Sequence, residues 1–240
     1  ELVTRRVGFT YALLEGEAGV GEARFVPPMR GHFYDIVPFW AENPVVEQRY
    51  RVTVPVAKNL QYQLFNGGAE VEDRTADGKR TVTVTLRGFK PAKAEKGMVG
   101  WSDVAPKLLL TTAPDWKAKA IWFHGVQEDS KAFAVTPELQ RVADEVTAGL
   151  DRADDKAAAL THWVAENIRY IGLHMGEGEG YTLHPAAMTL RDRGGVCKDK
   201  AGILTALLRA AGLEAYAGMT MAGERIELLA ADQFNHCITV

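Results

Sequence analysis

"RDRGGVCKDKAGILTALLRAAGLEAYAGM", Arg191 to Met219, holds one of only two cysteines in a chain of 240 residues, and its period sets the architecture of the second half. Leu204, Leu207, Leu208 and Ala211 recur at helical spacing from a start at or near Cys197, and Gly212 closes the run. Gly194 and Gly195 precede the cysteine and let the backbone turn sharply into the helix. Cys197 is therefore expected at a helix N-terminus. There unpaired N–H groups and the helix dipole favour an anion and raise the thiolate fraction of a thiol. Lys198 and Lys200 add positive charge nearby, and Asp199 offsets part of it. The same N–H groups could hold an oxyanion during acyl transfer. Against this stands a second reading, a small inert residue in the core, the commoner fate of a lone cysteine.

On either side of this stretch the pattern is readable. "VTPELQRVADEVTAGL" predicts a helix with Thr136 as N-cap and Pro137 at its first position. Its inward stripe is Leu139, Val142, Ala143, Val146 and Leu150. A second helix is predicted over Asp154–Asn167, with Leu160, Trp163, Val164 and Ile168 buried. "GLHMGEGEGYTLHP" is too rich in glycine for either element and reads as a loop. After the cysteine helix come a strand over Glu214–Met221, an acidic loop and a last strand from near Phe234.

The first 130 or so residues read as β-rich. "YRVTVPV" alternates, with Tyr50, Val52, Val54 and Val56 on one face, and "RTVTVTLRG" repeats the pattern through Val82, Val84 and Leu86. Asp77-Gly78 is a hairpin signal just before it, and Pro55 favours an edge strand. The expected fold class is α+β: an antiparallel β-sandwich domain over 1–130, then a mixed domain over 131–240.

Composition excludes several classes. The chain is 47% hydrophobic and 25% charged, as in globular proteins, and its net charge of -3 has no basic stripe to recruit nucleic acid. No apolar run reaches the ~20 residues of a membrane span. The chain begins at Glu1 without a Met, as in a processed or excised piece, so the absence of a signal peptide carries no message about export. Two cysteines make no disulfide framework.

A thiolate nucleophile needs an imidazole to take and return its proton. Of six histidines, His32 and His124 fall in the β-rich part and His162 on a polar helix face. His174 and His184 lie in the glycine-rich loop, either lining a cleft or solvated. His236 stands in "QFNHCITV", a short strand that follows the cysteine helix by one further strand. A helix offering Cys and an adjacent strand offering His is the arrangement of papain-like chemistry. Alternation sends His236 and Cys237 to opposite faces, which makes Cys237 a small core residue. A Cys197–Cys237 disulfide would silence the nucleophile. A zinc site from Cys197, His236 and Cys237 is disfavoured because neighbouring strand residues do not easily ligate one ion.

"GGVCKDKAGILTALLRAAGLEAYAGM" followed by "FNHCITV" resembles the core of the transglutaminase-like superfamily. "HWVAENIRYIGLHMGEGEGYTLHPAAMTLRDRGGVCKDKA" is similar to a bacterial group in which an all-β domain of unknown function precedes that core. The resemblance implies a papain-like fold with a Cys–His–Asp triad, Cys197 as nucleophile and His236 as base. Val196 stands where that group usually has aspartate, a form common in the wider superfamily. The triad aspartate is expected on the strand after the histidine, beyond Val240, so the core would be incomplete and turnover weak. The resemblance further implies acyl transfer on amides of a protein or peptide, by hydrolysis or cross-linking, without metal or cofactor, in the periplasm or at the cell surface. The alternative is a non-catalytic binding or scaffold protein that keeps the fold.

Overall fold

Two three-stranded antiparallel sheets arise from the alternating segments in the computed structural model, which describes residues 29, 31–129, 131–172 and 184–240. One sheet has the order β2-β5-β4, with β2 Val45–Pro55, β4 Glu70–Ala76 and β5 Lys79–Phe89; the other has the order β1-β6-β3, with β1 Tyr34–Pro38, β3 Gln61–Phe65 and β6 Lys107–Thr111. Asp77 and Gly78 join β4 to β5 with φ of 50° and 70°. Both values are positive, as a two-residue hairpin with the native twist demands. Pro55 ends the edge strand β2, where its missing N–H costs no ladder bond. Val54, Val82 and Val84 meet Val37, Leu108 and Leu110 in one core shared by both sheets, which is the expected sandwich.

The chain divides into two compact units. The first includes Met29–Ala120 and Met221–Gln233, and the second includes Ile121–Thr220 and Phe234–Val240. In the first, residues 221–233 are held by buried ion pairs: Lys107 to Glu227 at 3.1 Å and Lys119 to Asp232 at 3.4 Å. The Thr111 hydroxyl also donates to the Ala230 carbonyl at 3.0 Å. The sequence predicts Asp232 as solvated in an acidic loop; instead its side chain is 7% exposed. Burial holds the Lys119 ammonium below its ordinary value, with Asp232 working the other way. Burial, then Asp232 and Asp35, pushes the Tyr34 hydroxyl up to about 12.

Two helices stand within the region read as β-rich, the single turn α1 Trp101–Val104 and the longer α2 Trp116–Asp129. Asp115 starts the longer one by accepting the Ala118 N–H at 2.7 Å. Its buried positions are Lys119, Phe123 and Gln127, a helical stripe that is polar at two of three places. That is why the hydrophobic pattern does not reveal it.

The second unit contains α3 Pro137–Val146, α4 Ala153–Asn167, α5 Ala186–Asp192 and α6 Cys197–Ala210. Thr136 caps α3 as predicted, its hydroxyl accepting the Leu139 N–H at 3.4 Å. Short strands complete it: β7 Arg169–Tyr170 runs parallel to β8 Gly194–Gly195, and β9 Ala217–Thr220 antiparallel to β10 His236–Thr239. The cysteine helix α6 packs against α3, α4, α5 and β10. Ile203, Ala206 and Leu207 are fully buried, while the predicted inward residues Leu204 and Leu208 are half-buried. A helix covered on nearly every side has no single inward stripe. Of the glycine-rich loop, residues 173–183, His174 among them, lie outside the described residues. No helix among the described residues is long and apolar enough to cross a membrane.

Candidate active site

The approach to Cys197 is set by sterics. Helix α5 ends on Arg193, which takes the left-handed conformation at φ 53°. From there the chain runs extended through β8, with the Arg169 N–H on the Arg193 carbonyl at 2.9 Å and the Ile171 N–H on the Gly195 carbonyl at 3.1 Å. The sequence predicts a turn at the double glycine, but neither glycine is left-handed. Gly195 is needed for space, because a Cβ there would collide with the Asp199 side chain.

Asp199 sits in the first turn of α6. One carboxylate oxygen accepts the Val196 N–H at 2.8 Å and the other accepts from His184 Nδ1 at 2.8 Å. The first bond satisfies the backbone at the helix cap, half of a capping box, since valine has no acceptor to return. The Asp199 and His184 side chains are 3% and 14% exposed, so this pair is sheltered from solvent. Lys200, read as charge beside the thiol, instead caps the end of α4 by donating to the Ile168 carbonyl at 2.5 Å.

Cys197 opens α6 and is half-buried, with its backbone at the positive end of a fourteen-residue helix. Tyr170 of β7 stands opposite Gly195 of β8, two residues before Cys197. Burial first, then the neighbouring Cys197, raises the Tyr170 hydroxyl above its ordinary value. Tyr170 is 62% exposed. The other cysteine is sealed. Cys237 is 3% exposed in the core of the unit, as the alternation predicts, and burial pushes its thiol up to about 12, aided by Cys197 and Asp199. Both cysteines are free thiols.

His236 begins β10, opposite Thr220 of β9, and is half-buried. On the alternate face of β10, Thr239 donates to the Ala201 carbonyl of α6 at 3.1 Å. Among the described residues no hydrogen bond joins His236 to Cys197. His162 and His124 are exposed, and His32 Nδ1 donates to the Thr112 carbonyl at 2.8 Å, away from the cysteine helix in sequence and element. Two features of the site escape sequence reading. The aspartate three residues after the cap of α6 is a partial signal for the His184–Asp199 pair. Tyr170 carries none, because a two-residue strand pairing leaves no period.

Comparison with known proteins agrees with this architecture. Residues 140–238 match the family described as the transglutaminase-like superfamily, and residues 5–93 match a domain of unknown function, DUF3857. No curated protein matches the chain. A crystal structure from Parabacteroides distasonis ATCC 8503, described as a "putative protease", has the same fold at TM-score 0.69 and 20% identity, over 87% of this chain. The chain spans 40% of that structure's length. A second, from Cytophaga hutchinsonii and described as a "putative cysteine protease", gives TM-score 0.35 at 15% identity, covering 87% of this chain and 74% of the other. The chain thus has an α+β fold in which a region similar to the transglutaminase-like superfamily, residues 140–238, follows one that matches DUF3857, residues 5–93.

Proposed function

We propose that the protein transfers acyl groups from amides of a protein or peptide, with Cys197 as nucleophile and His236 as general base. The Cys197 sulfur attacks the amide carbonyl carbon, and the electron pair of the C=O π bond moves to oxygen. When the carbonyl re-forms, the C–N bond breaks and the amine leaves with the proton carried by His236. A thioester on Cys197 remains. Water or a second amine then attacks it with His236 again as base, and the thiol is regenerated. The observation that carries this reading is the position of Cys197 itself. It is half-buried at the N-terminus of the central helix, whereas Cys237 is sealed.

A non-catalytic binding protein is the second reading, favoured by the absence of a hydrogen bond between Cys197 and His236. The test is peptide release and amine incorporation with a glutamine-containing casein substrate and a fluorescent primary amine. Cys197→Ala is expected to abolish both signals, and His236→Ala to lower them by about 10²–10⁴. Product split between the two assays distinguishes hydrolysis from cross-linking. Signals unchanged in Cys197→Ala contradict the nucleophile, and signals unchanged in His236→Ala contradict the base.

A further inference from the structure

A hydrogen-bonded route runs from the core of the second unit to the peptide before Cys197. At its far end the Ala186 N–H donates to the Ala132 carbonyl at 2.8 Å, and both residues are 1% exposed. Pro185 stands before Ala186 with φ −57°, and a proline restricts the backbone of the residue it follows, here His184. His184 Nδ1 donates to one oxygen of Asp199 at 2.8 Å, and the other oxygen accepts the Val196 N–H at 2.8 Å. The Asp199 side chain lies directly on Gly195, where there is no room for a Cβ. It is 3% exposed, so water competes little for either bond.

We propose that His184 and Asp199 are positioning residues that hold the Val196–Cys197 peptide in the orientation acyl transfer needs. The inference rests on the acyl-transfer reading above and adds two residues that reading leaves out. Both act through the backbone. Val196 gives its N–H to the Asp199 side chain, and its carbonyl accepts the Asp199 and Lys200 N–H groups at 3.1 and 3.0 Å. With both backbone groups committed, Val196 delivers Cys197 in one orientation. The sulfur and the N–H groups at the start of α6 then keep a fixed relation to an incoming carbonyl. Valine has no side-chain acceptor to complete a capping box, so the cap residue itself gives the Asp199 carboxylate no reciprocal support. His184 supplies the second support from outside the helix. It holds the oxygen that Val196 does not use, which stops the carboxylate from rotating away from the Val196 N–H.

Two reactions of the same thiol separate this role from a merely structural one. Acylation by p-nitrophenyl acetate passes through an oxyanion and depends on the orientation of sulfur and N–H groups. Alkylation by iodoacetamide displaces iodide at a saturated carbon and needs no such alignment. In the whole 240-residue chain, His184→Ala removes the donor, and His184→Asn puts an amide N–H near the place of Nδ1. The expected result for His184→Ala is a fall of about 10² in the Cys197-dependent acylation rate constant, the size that a misplacement of about 1 Å brings. The half-saturating ester concentration and the alkylation rate should change little, and His184→Asn should recover most of the loss. If His184→Ala does not fold by circular dichroism, His184→Phe, which fills the space without a donor, takes its place. Equal losses in both reactions, or His184→Asn as slow as His184→Ala, would overturn the positioning role. So would a folded variant that acylates at the unsubstituted rate while Cys197→Ala abolishes the reaction, and the acyl-transfer reading would then stand. Release of p-nitrophenol that is unchanged in Cys197→Ala, or absent from the unsubstituted chain, overturns the acyl-transfer reading and the positioning role with it.

Discussion

Two thiols in one unit are given opposite characters by their surroundings. Cys197 is half-buried at a helix start, and Cys237 is enclosed among Leu160, Ile203 and Leu207 of the same core. Iodoacetamide at neutral pH is therefore expected to modify Cys197 and spare Cys237 in peptide mapping. Preferential labelling of Cys237 would reverse the assignment. Cys237 also has a consequence for stability. Its thiol is neutral when protonated, and burial holds its folded-state value near 12 against an ordinary 9.0. The stability it contributes is complete below the ordinary value and is lost as pH rises from about 9 towards 12. Tyr34, pushed up to about 12 from 10.0, acts in the same sense, while Lys119, held low, acts in the opposite one. Urea melts of Cys237→Ala against the unsubstituted chain isolate the thiol. The advantage of the cysteine should shrink by about 1.4 kcal/mol per pH unit across that window. A difference constant with pH would contradict the burial of this thiol.

Elements with a clean period or a cap were legible in the sequence; those stabilised by non-local contacts were not. Thr136-Pro137 announced α3 because a cap is a local bond, and Asp77-Gly78 announced its hairpin because positive φ restricts residue type. The start of α6 at Cys197 followed from the same logic. Helix α2 stayed hidden because Lys119 and Gln127 occupy its buried stripe, each bonded to a distant part of the chain. The double glycine was noticed for turning when its second member is required for clearance of Asp199. In the site, Cys197 was readable from helix position, whereas the place of Tyr170 beside Gly195 and the His184–Asp199 bond depend on pairings across 25 and 15 residues. Two changes test these elements. Thr136→Ala should cost about 1 kcal/mol in chemical denaturation, and an unchanged midpoint would remove the cap from the account. Gly195→Ala should cost about 1–3 kcal/mol, as overpacking does, and displace Asp199 from Val196. A neutral result would show that the site tolerates a methyl group there.

At the scale of the molecule, the first unit closes through buried charge as well as through its sandwich core. Lys119 and Asp232 are 6% and 7% exposed in their side chains and neutralise each other. Asp232→Ala removes the carboxylate that balances a buried ammonium and should destabilise by about 3–5 kcal/mol in urea melts. Replacing both partners, Lys119→Met with Asp232→Leu, should recover most of that loss, because two apolar groups of similar volume leave no uncompensated charge. A single variant as stable as the unsubstituted chain would show that solvent reaches the pair.

The proposed chemistry lies in the second unit, where an acyl group would pass through the Cys197 sulfur. Intact-mass analysis after mixing the chain with an activated acyl ester and quenching in acid tests it most directly. One acyl mass should be added, map to Cys197 by peptide sequencing, disappear on hydroxylamine treatment and be absent from Cys197→Ala. An adduct on any other residue, or one that persists in Cys197→Ala, would contradict the account.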